Sequence, residues 1–374
     1  MTRVSLTTAL FPTLVLVVAF ALAAALVPVA EWIARRFGVL DAPGPRKVHG
    51  TPTPRIGGIA VWGAFTVVVL AGYLGAPHLS RLPWVATRLA GPLAMLQEAY
   101  RVEAKLAAMM LGGGLVFGVG LLDDVLGERF KVGFKLVGQV LAALVLVLGG
   151  IRTDIGFYEP LNVALTILWV VGITNAFNLL DNMDGLSAGV AFVASLVLLL
   201  NAWLLGEFFI SLVLLALMGS LLGFLAFNWH PASIFLGDCG SLFIGFTLAS
   251  LTLLQRYVSH ASSGVFPVLM PVLVLALPIL DTATVVVIRL REGRPIYVGD
   301  SRHLSHRLVS LGMRPPLAVT TIYLISLGIG LGAVGLAHAD VVHSLLILIQ
   351  ALAVVAVVLV LLFFERRAQP RDGP

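Results

Sequence analysis

Eleven runs of about 20 mostly apolar residues, separated by Gly, Pro and charged punctuation, occupy most of the 374-residue chain. A helix needs about 20 such residues to cross the ~30 Å hydrocarbon layer. The runs fall near 10–34, 56–75, 104–122, 134–151, 160–177, 186–204, 208–227, 239–257, 265–288, 318–337 and 341–364. They predict an all-α, polytopic integral membrane protein with about eleven transmembrane helices. Only 11% of residues are charged and 59% are apolar, where a soluble domain carries about a quarter charged. An ordinary soluble enzyme is therefore excluded, and too little chain remains for a separate soluble domain. Residues 1–374 read as one transmembrane domain, with a motif core over 35–315 followed by two spans and a tail over 318–374.

Arg3 ahead of the first run resembles the start of a signal peptide, but the apolar stretch exceeds 20 residues and Arg35 and Arg36 follow it. It reads as a retained span. The segments after odd-numbered runs hold 17 of the 24 Lys and Arg, and the other side holds 7. By the positive-inside bias this puts the N-terminus outside and the C-terminal tail, with Arg366, Arg367 and Arg371, in the cytosol. The long external segment 76–103 carries Arg81, Arg88 and Arg101 against that bias and is expected to hold an interfacial helix. The net charge of +5 comes from cations flanking apolar runs, not from a basic face, so nucleic acid is not an expected partner. Cys239 is the single cysteine; no intramolecular disulfide can form, and no zinc-ligand spacing is present.

Five polar stretches all fall on the predicted cytosolic side. The first, from Asp41 to Gly58, holds Arg46, Lys47, His49 and Arg55 among Pro and Gly that exclude a helix. Cations in a stiff loop suit an anion such as a pyrophosphate; an anchor loop that binds lipid headgroups is the alternative. The second ends the third run with Asp123-Asp124; adjacent carboxylates repel, which favours a bound cation or a raised pKa in one of them. Lys135 and Gln139 follow one turn apart on a helix. The third, at the end of the fifth run, spaces Asn175, Asn178 and Asp181 three apart, so that they share a helical face, and Asp184-Gly185 is expected to end that helix. The fourth holds Asn228-Trp-His230-Pro and then Gly237-Asp238-Cys-Gly240-Ser241. Asp238 suits either a helix cap or a metal ligand. The fifth begins with Asp281 inside the ninth apolar run, where an ionisable group is by default functional or paired. It continues through Arg289, Arg291 and Arg294 to Arg302-His303-Leu-Ser305-His306. Two histidines are too few for a zinc site, and donors toward a phosphate or sugar fit better.

Carboxylates, amides and cations together describe a membrane-surface active site at the cytosolic face. Their oxygens suit Mg²⁺ more than a softer metal, and Mg²⁺ with Arg and Lys points to a nucleotide pyrophosphate. The number of spans points to a lipid as second substrate. A cation-coupled transporter, with Asp281, Asp123 and Asp181 as ion path, is the alternative of another class. It requires polar residues through the middle of several spans, whereas these cluster at span ends.

The ordered motifs resemble the polyprenyl-phosphate N-acetylhexosamine-1-phosphate transferases, in particular the bacterial WecA/TagO-like group. The matching pieces are Lys47-x-His49 with Pro54-Arg55-x-Gly57-Gly58, Asp123-Asp124, Lys135 with Gln139, Asn175-x-x-Asn178-x-x-Asp181-x-x-Asp184-Gly185, Gly237-Asp238-x-Gly240-Ser241 and the histidine loop. The resemblance implies transfer of a sugar 1-phosphate, most simply GlcNAc 1-phosphate, from a UDP-sugar to undecaprenyl phosphate with release of UMP, in a bacterial inner membrane. It implies Mg²⁺, with Mn²⁺ able to substitute, on Asp238 and Asn178, and Asp123 or Asp124 acting on the lipid phosphate. Lys47, His49, Arg55, Lys135, Asn175, Asp181, Asp184, Arg302, His303 and His306 would bind substrates. Direct attack and an aspartyl-phosphate route both remain open, as does a homodimer. Asn182 stands where the group usually has Gly, Ser305 where it has a further His, and Glu128 one position beyond a usual third Asp. Muramoyl-pentapeptide transferases carry a three-histidine run that this chain lacks, which ranks UDP-MurNAc-pentapeptide lower as donor.

Overall fold

The computed structural model describes residues 6–41, 52–154, 158–258, 266–295 and 302–368. Fifteen α-helices occur among them: α1 (Leu6–Phe37), α2 (Gly58–Leu79), α3 (Pro83–Arg88), α4 (Ala90–Arg101), α5 (Glu103–Leu126), α6 (Val132–Leu148), α7 (Glu159–Leu180), α8 (Leu186–Leu204), α9 (Phe208–Asn228), α10 (Gly237–Leu254), α11 (Met270–Val274), α12 (Ala276–Arg291), α13 (Leu304–Ser310), α14 (Pro315–Val334) and α15 (Val341–Ala368). Each of the eleven predicted runs coincides with helix. Nine are long and apolar enough to cross a membrane, the 17-residue α6 is shorter, and the ninth run is broken into α11 and α12 with a 69° bend. The break lies just ahead of Pro278, whose missing N–H and ring disfavour helix across that point. The segment expected to hold an interfacial helix forms α3 and α4, and α4 packs on α1, α2 and α9.

The bundle is layered by burial. The central windows of α8, α9 and α10 are 72%, 72% and 78% buried, against 22% for α1 and 17% for α15. The spans are apolar over most of their length, so hydrophobicity alone does not order the helices; close backbone approach does. Gly219 and Gly223 of α9 lie where an added Cβ would strike the backbone of α1 at Leu16 and Phe20, which seats α1 along α9.

The start of α10 is the tightest junction. A Cβ on Gly58 or Gly120 would run into the backbone at Gly240 or at Asp238 and Cys239, so α2 and α5 clasp the first turn of α10. Gly237 adopts φ +73, open to glycine at little cost. A two-residue antiparallel pair, β1 (Leu40–Asp41) with β2 (Thr53–Pro54), leads into this junction. From there Phe235 N–H donates to Pro54 O (2.7 Å), Gly57 N–H to Phe235 O (2.9 Å) and Gly58 N–H to Leu236 O (2.8 Å). The end of the basic loop is thereby stitched to the segment that begins α10.

Candidate active site

Sequence reading offered Asp238 as the cap of its own helix. The cap comes from another helix instead. Asp124, at the end of α5, accepts the backbone N–H of Asp238 (3.0 Å) and of Cys239 (2.9 Å). These are orphan donors of the first turn of α10, and an anion there is favoured by the helix dipole. Arg55 pairs with the same carboxylate at 3.3 Å, and the Asp124 side chain is 1% exposed. The Asp238 carboxylate is consequently left for other partners. Lys135 Nζ of α6 donates to Asp238 Oδ2 (2.6 Å) and to Asp123 Oδ2 (3.0 Å). Asn178 of α7 donates through Nδ2 to Asp238 Oδ1 (2.6 Å) and Ser241 Oγ (2.9 Å). Four helices thus meet at one carboxylate, and the adjacent aspartates of α5 divide: Asp124 is enclosed in a cap while Asp123 faces Lys135.

A cavity of about 530 Å³ opens beside this junction, lined by Arg55, Asp124, Asp181, Asp184, Asp238, His230 and His306 among others. Its acidic rim is the segment after α7. The helix ends at Leu180, earlier than the expected stop at Asp184-Gly185, and Asp181 lies just past it; Gly185, at φ +74, starts α8 instead. Asp184 Oδ2 takes His230 Nδ1 (2.8 Å) and the Ala232 N–H (3.2 Å). The buried Asn228 accepts the Gly185 N–H (3.0 Å) and donates to Ile234 O (2.9 Å), which holds this segment to the one before α10. His230 was visible as part of a polar stretch, but nothing in its local sequence assigned it to Asp184, 46 residues away.

The description Glycosyl transferase family 4 matches residues 106–255, the stretch that carries Asp123 through Ser241. A Bacillus subtilis protein described as a probable undecaprenyl-phosphate N-acetylglucosaminyl 1-phosphate transferase is 33% identical over 331 residues, covering 86% of this chain and 84% of its own length. The chain belongs to this transferase family. A Mycolicibacterium smegmatis decaprenyl-phosphate N-acetylglucosaminephosphotransferase is 33% identical over 363 residues, covering 90% of this chain and 84% of its own. More distantly, a phospho-N-acetylmuramoyl-pentapeptide-transferase of Desulforudis audaxviator is 31% identical over 254 residues, 59% of this chain and 69% of its own.

Other residues of this family 4 transferase that were expected to bind substrate have partners within the protein and do not line this cavity. Asn175 forms a reciprocal amide pair with Gln139, which joins α7 to α6, and it does not line the cavity. His303 is enclosed: its Nδ1 meets Asp281 Oδ2 at 2.7 Å, and both side chains are 4% exposed. Asp281 Oδ1 accepts the Leu304 N–H at 2.6 Å and so caps α13. The ionisable group inside the ninth run is therefore a paired one. Arg302 is ion-paired with Glu292 outside the cavity. Among the described residues of this stretch, from Asp281 to His306, His306 alone lines the cleft. Two of the three positions unusual for the family group touch each other, Ser305 Oγ donating to Asn182 Oδ1 at 2.6 Å. That bond ties α13 to the acidic rim. Lys47 and His49 lie outside the described residues.

Among the described residues, no three His, Cys, Asp or Glu are gathered as a metal-binding group. The charge balance nevertheless fits a divalent cation. Among the described residues, five aspartates line the cavity, counting Asp41, against Arg55 as the one Arg or Lys of the lining. Burial, and then the charges of Asp238, Asp124 and Asp184, push Asp181 well above the usual carboxylate range. Hard oxygen donors in such excess suit Mg²⁺. Burial and then the neighbouring His303 push His306 below the ordinary histidine value, so it is neutral near pH 7.

Proposed function

We propose that this transferase moves GlcNAc 1-phosphate from UDP-GlcNAc to undecaprenyl phosphate, forming the diphosphate-linked lipid and releasing UMP. The observation that carries the reading is the Asp123–Lys135–Asp238–Asn178 junction beside an acidic cavity at the helix ends. The names of the Bacillus and Mycolicibacterium relatives support the same donor sugar and a polyprenyl phosphate acceptor. The cleft then faces the cytosol of a bacterial inner membrane, with the N-terminus outside, as the Lys and Arg distribution indicates.

In this proposal an oxygen of the lipid phosphate attacks the phosphorus attached to the sugar, and the bond from that phosphorus to UMP breaks. Both reactants are anions, so the residues must neutralise charge and align the two groups. Asp123 orients the acceptor phosphate or takes its proton, while Lys135 holds Asp123 and Asp238 apart from each other's charge. Asp124 acts through structure, fixing the first turn of α10 and hence Asp238. Asp181, Asp184 and His306 place the donor, the neutral His306 donating one N–H to it. Asp238 and Asn178 would hold Mg²⁺, with Asp181 close by. When bound, the ion supplies Lewis-acid stabilisation of the pyrophosphate.

Purified protein in detergent, given Mg²⁺ and undecaprenyl phosphate, is tested for UMP release with UDP-GlcNAc, UDP-GalNAc and UDP-MurNAc-pentapeptide in parallel. Lipid-dependent release with UDP-GlcNAc that EDTA stops is expected. Release with another donor alone would reassign the sugar, and none at all from folded protein would reject the transferase reading for these substrates.

A further inference from the structure

At the end of the bundle opposite the cleft, a second cavity of about 260 Å³ lies between α4–α5 and the α8–α9 and α10 ends. Its lining includes Arg101, Lys105 and Arg256. These are three of the seven Lys and Arg that the sequence places on the side disfavoured for cations. Cations that merely snorkel to a membrane surface would spread around the rim of the bundle. Here Arg101 and Lys105, four residues apart across the α4–α5 junction, share one cavity with Arg256 from beyond the end of α10.

The acidic residues of this cavity are already used. Glu207 takes Arg256 Nε (2.9 Å) and the Arg256 N–H (3.1 Å), and Glu98 accepts the Phe209 N–H (3.2 Å) in the first turn of α9. Arg101 and Lys105 have no carboxylate partner among the described residues. Below them the wall is apolar and buried, with Leu106, Met109, Val213 and Leu251 between 1% and 4% exposed. A cationic mouth over an apolar floor matches a molecule with an anionic head and a hydrocarbon tail. We infer that this cavity binds the phosphodiester headgroup of one anionic phospholipid, with Arg101 and Lys105 on the phosphate and the start of an acyl chain on the apolar wall. Such a lipid would join α4–α5 to α9–α10 at the end remote from the chemistry. In the orientation proposed above it comes from the outer leaflet.

Native mass spectrometry of the full chain tests this, after incubation with phosphatidylglycerol, phosphatidylcholine or inorganic phosphate. Wild type is expected to retain one phosphatidylglycerol about 10-fold better than phosphatidylcholine, since each surface cation near an anionic lipid contributes substantially. Inorganic phosphate should not displace it. The double variant Arg101→Gln/Lys105→Gln should lose that preference. The charge-preserving Arg101→Lys/Lys105→Arg should keep it, which controls for folding. Equal retention of the two lipids, undiminished preference in the Gln variant, or displacement by inorganic phosphate alone would each overturn the inference, the last by showing a free-anion site. UMP release plays no part in the readout, so this outcome is independent of the transferase reading.

Discussion

Two aspartates, Asp238 and Asp281, each sit in an apolar span and each meet a basic side chain, yet their surroundings differ. Asp238 is 29% exposed and shares Lys135 with Asp123, and the cavity opens onto it. Asp281 is 4% exposed, and its two oxygens are taken by His303 and the Leu304 N–H. A carboxylate whose partners leave a face toward a cavity can do chemistry; one enclosed by its partners holds structure. Burial of a charge is costly unless it is paired, so Asp281 fixes α13 and thereby the place of His306.

The comparison breaks most readily at the open carboxylates. Asp238→Asn or Asp123→Asn is expected to lower kcat for UMP release by about 10³-fold, in the range seen when one electrostatic catalytic group is removed, with little change in melting temperature. A variant that unfolds instead would make these residues structural and erase the contrast. Asp281→Ala should show the reverse pattern. Removing one partner of a buried pair costs about 3 kcal/mol, read as a fall in thermal stability. In whatever fraction stays folded, the donor KM should rise more than kcat falls. An Asp281→Ala protein of normal stability that has lost kcat would place Asp281 in the chemistry.

Proton linkage sharpens the contrast further. The folded protein holds a proton on Asp181 at pH values where the unfolded chain, with an ordinary carboxylate pKa of about 4, has released it. In EDTA-treated protein this contribution to stability is present at low pH and is lost as pH rises through the raised value of Asp181. In the proposed site Mg²⁺ would compete with that proton, so the Mg²⁺ concentration for half-maximal activity should increase as pH is lowered, and binding should release protons measurable by calorimetry in two buffers. Flat Mg²⁺ dependence across pH would remove Asp181 from the ion's surroundings. The smallest effect is expected from Ser305→Ala, which deletes the bond to Asn182. A loss of about 1 kcal/mol, equivalent to several-fold in donor KM, is expected with kcat almost unchanged. No change in KM would mean that the bond does not set the distance between α13 and the acidic rim.

The legible part of the site was its inventory. Asp123, Lys135, Asn178, Asp181, Asp184, Asp238 and His306 stand out because polar residues at span ends need a reason, and all belong to the cleft or its edge. Asn175 and His303 stand out on the same grounds but are used inside the protein, by Gln139 and Asp281. Residue type and spacing look alike in both groups. His230, Asn182 and Ser305 were visible as residues, but the pairing of His230 with Asp184 and of Ser305 with Asn182 was not, because the partners lie 46 and 123 residues apart.

By itself the sequence determined that the chain crosses a membrane many times, since apolar runs of span length have few other stable solutions. It also fixed which ends of those spans carry polar groups, because charges are expelled from the hydrocarbon. The tertiary structure alone decided which carboxylate caps a helix, which pairs with a buried histidine and which remains open. Those outcomes depend on where glycines such as Gly58, Gly120 and Gly240 let helix backbones approach. Such an approach brings together residues as far apart as Asp124 and Asp238, a proximity no local pattern encodes.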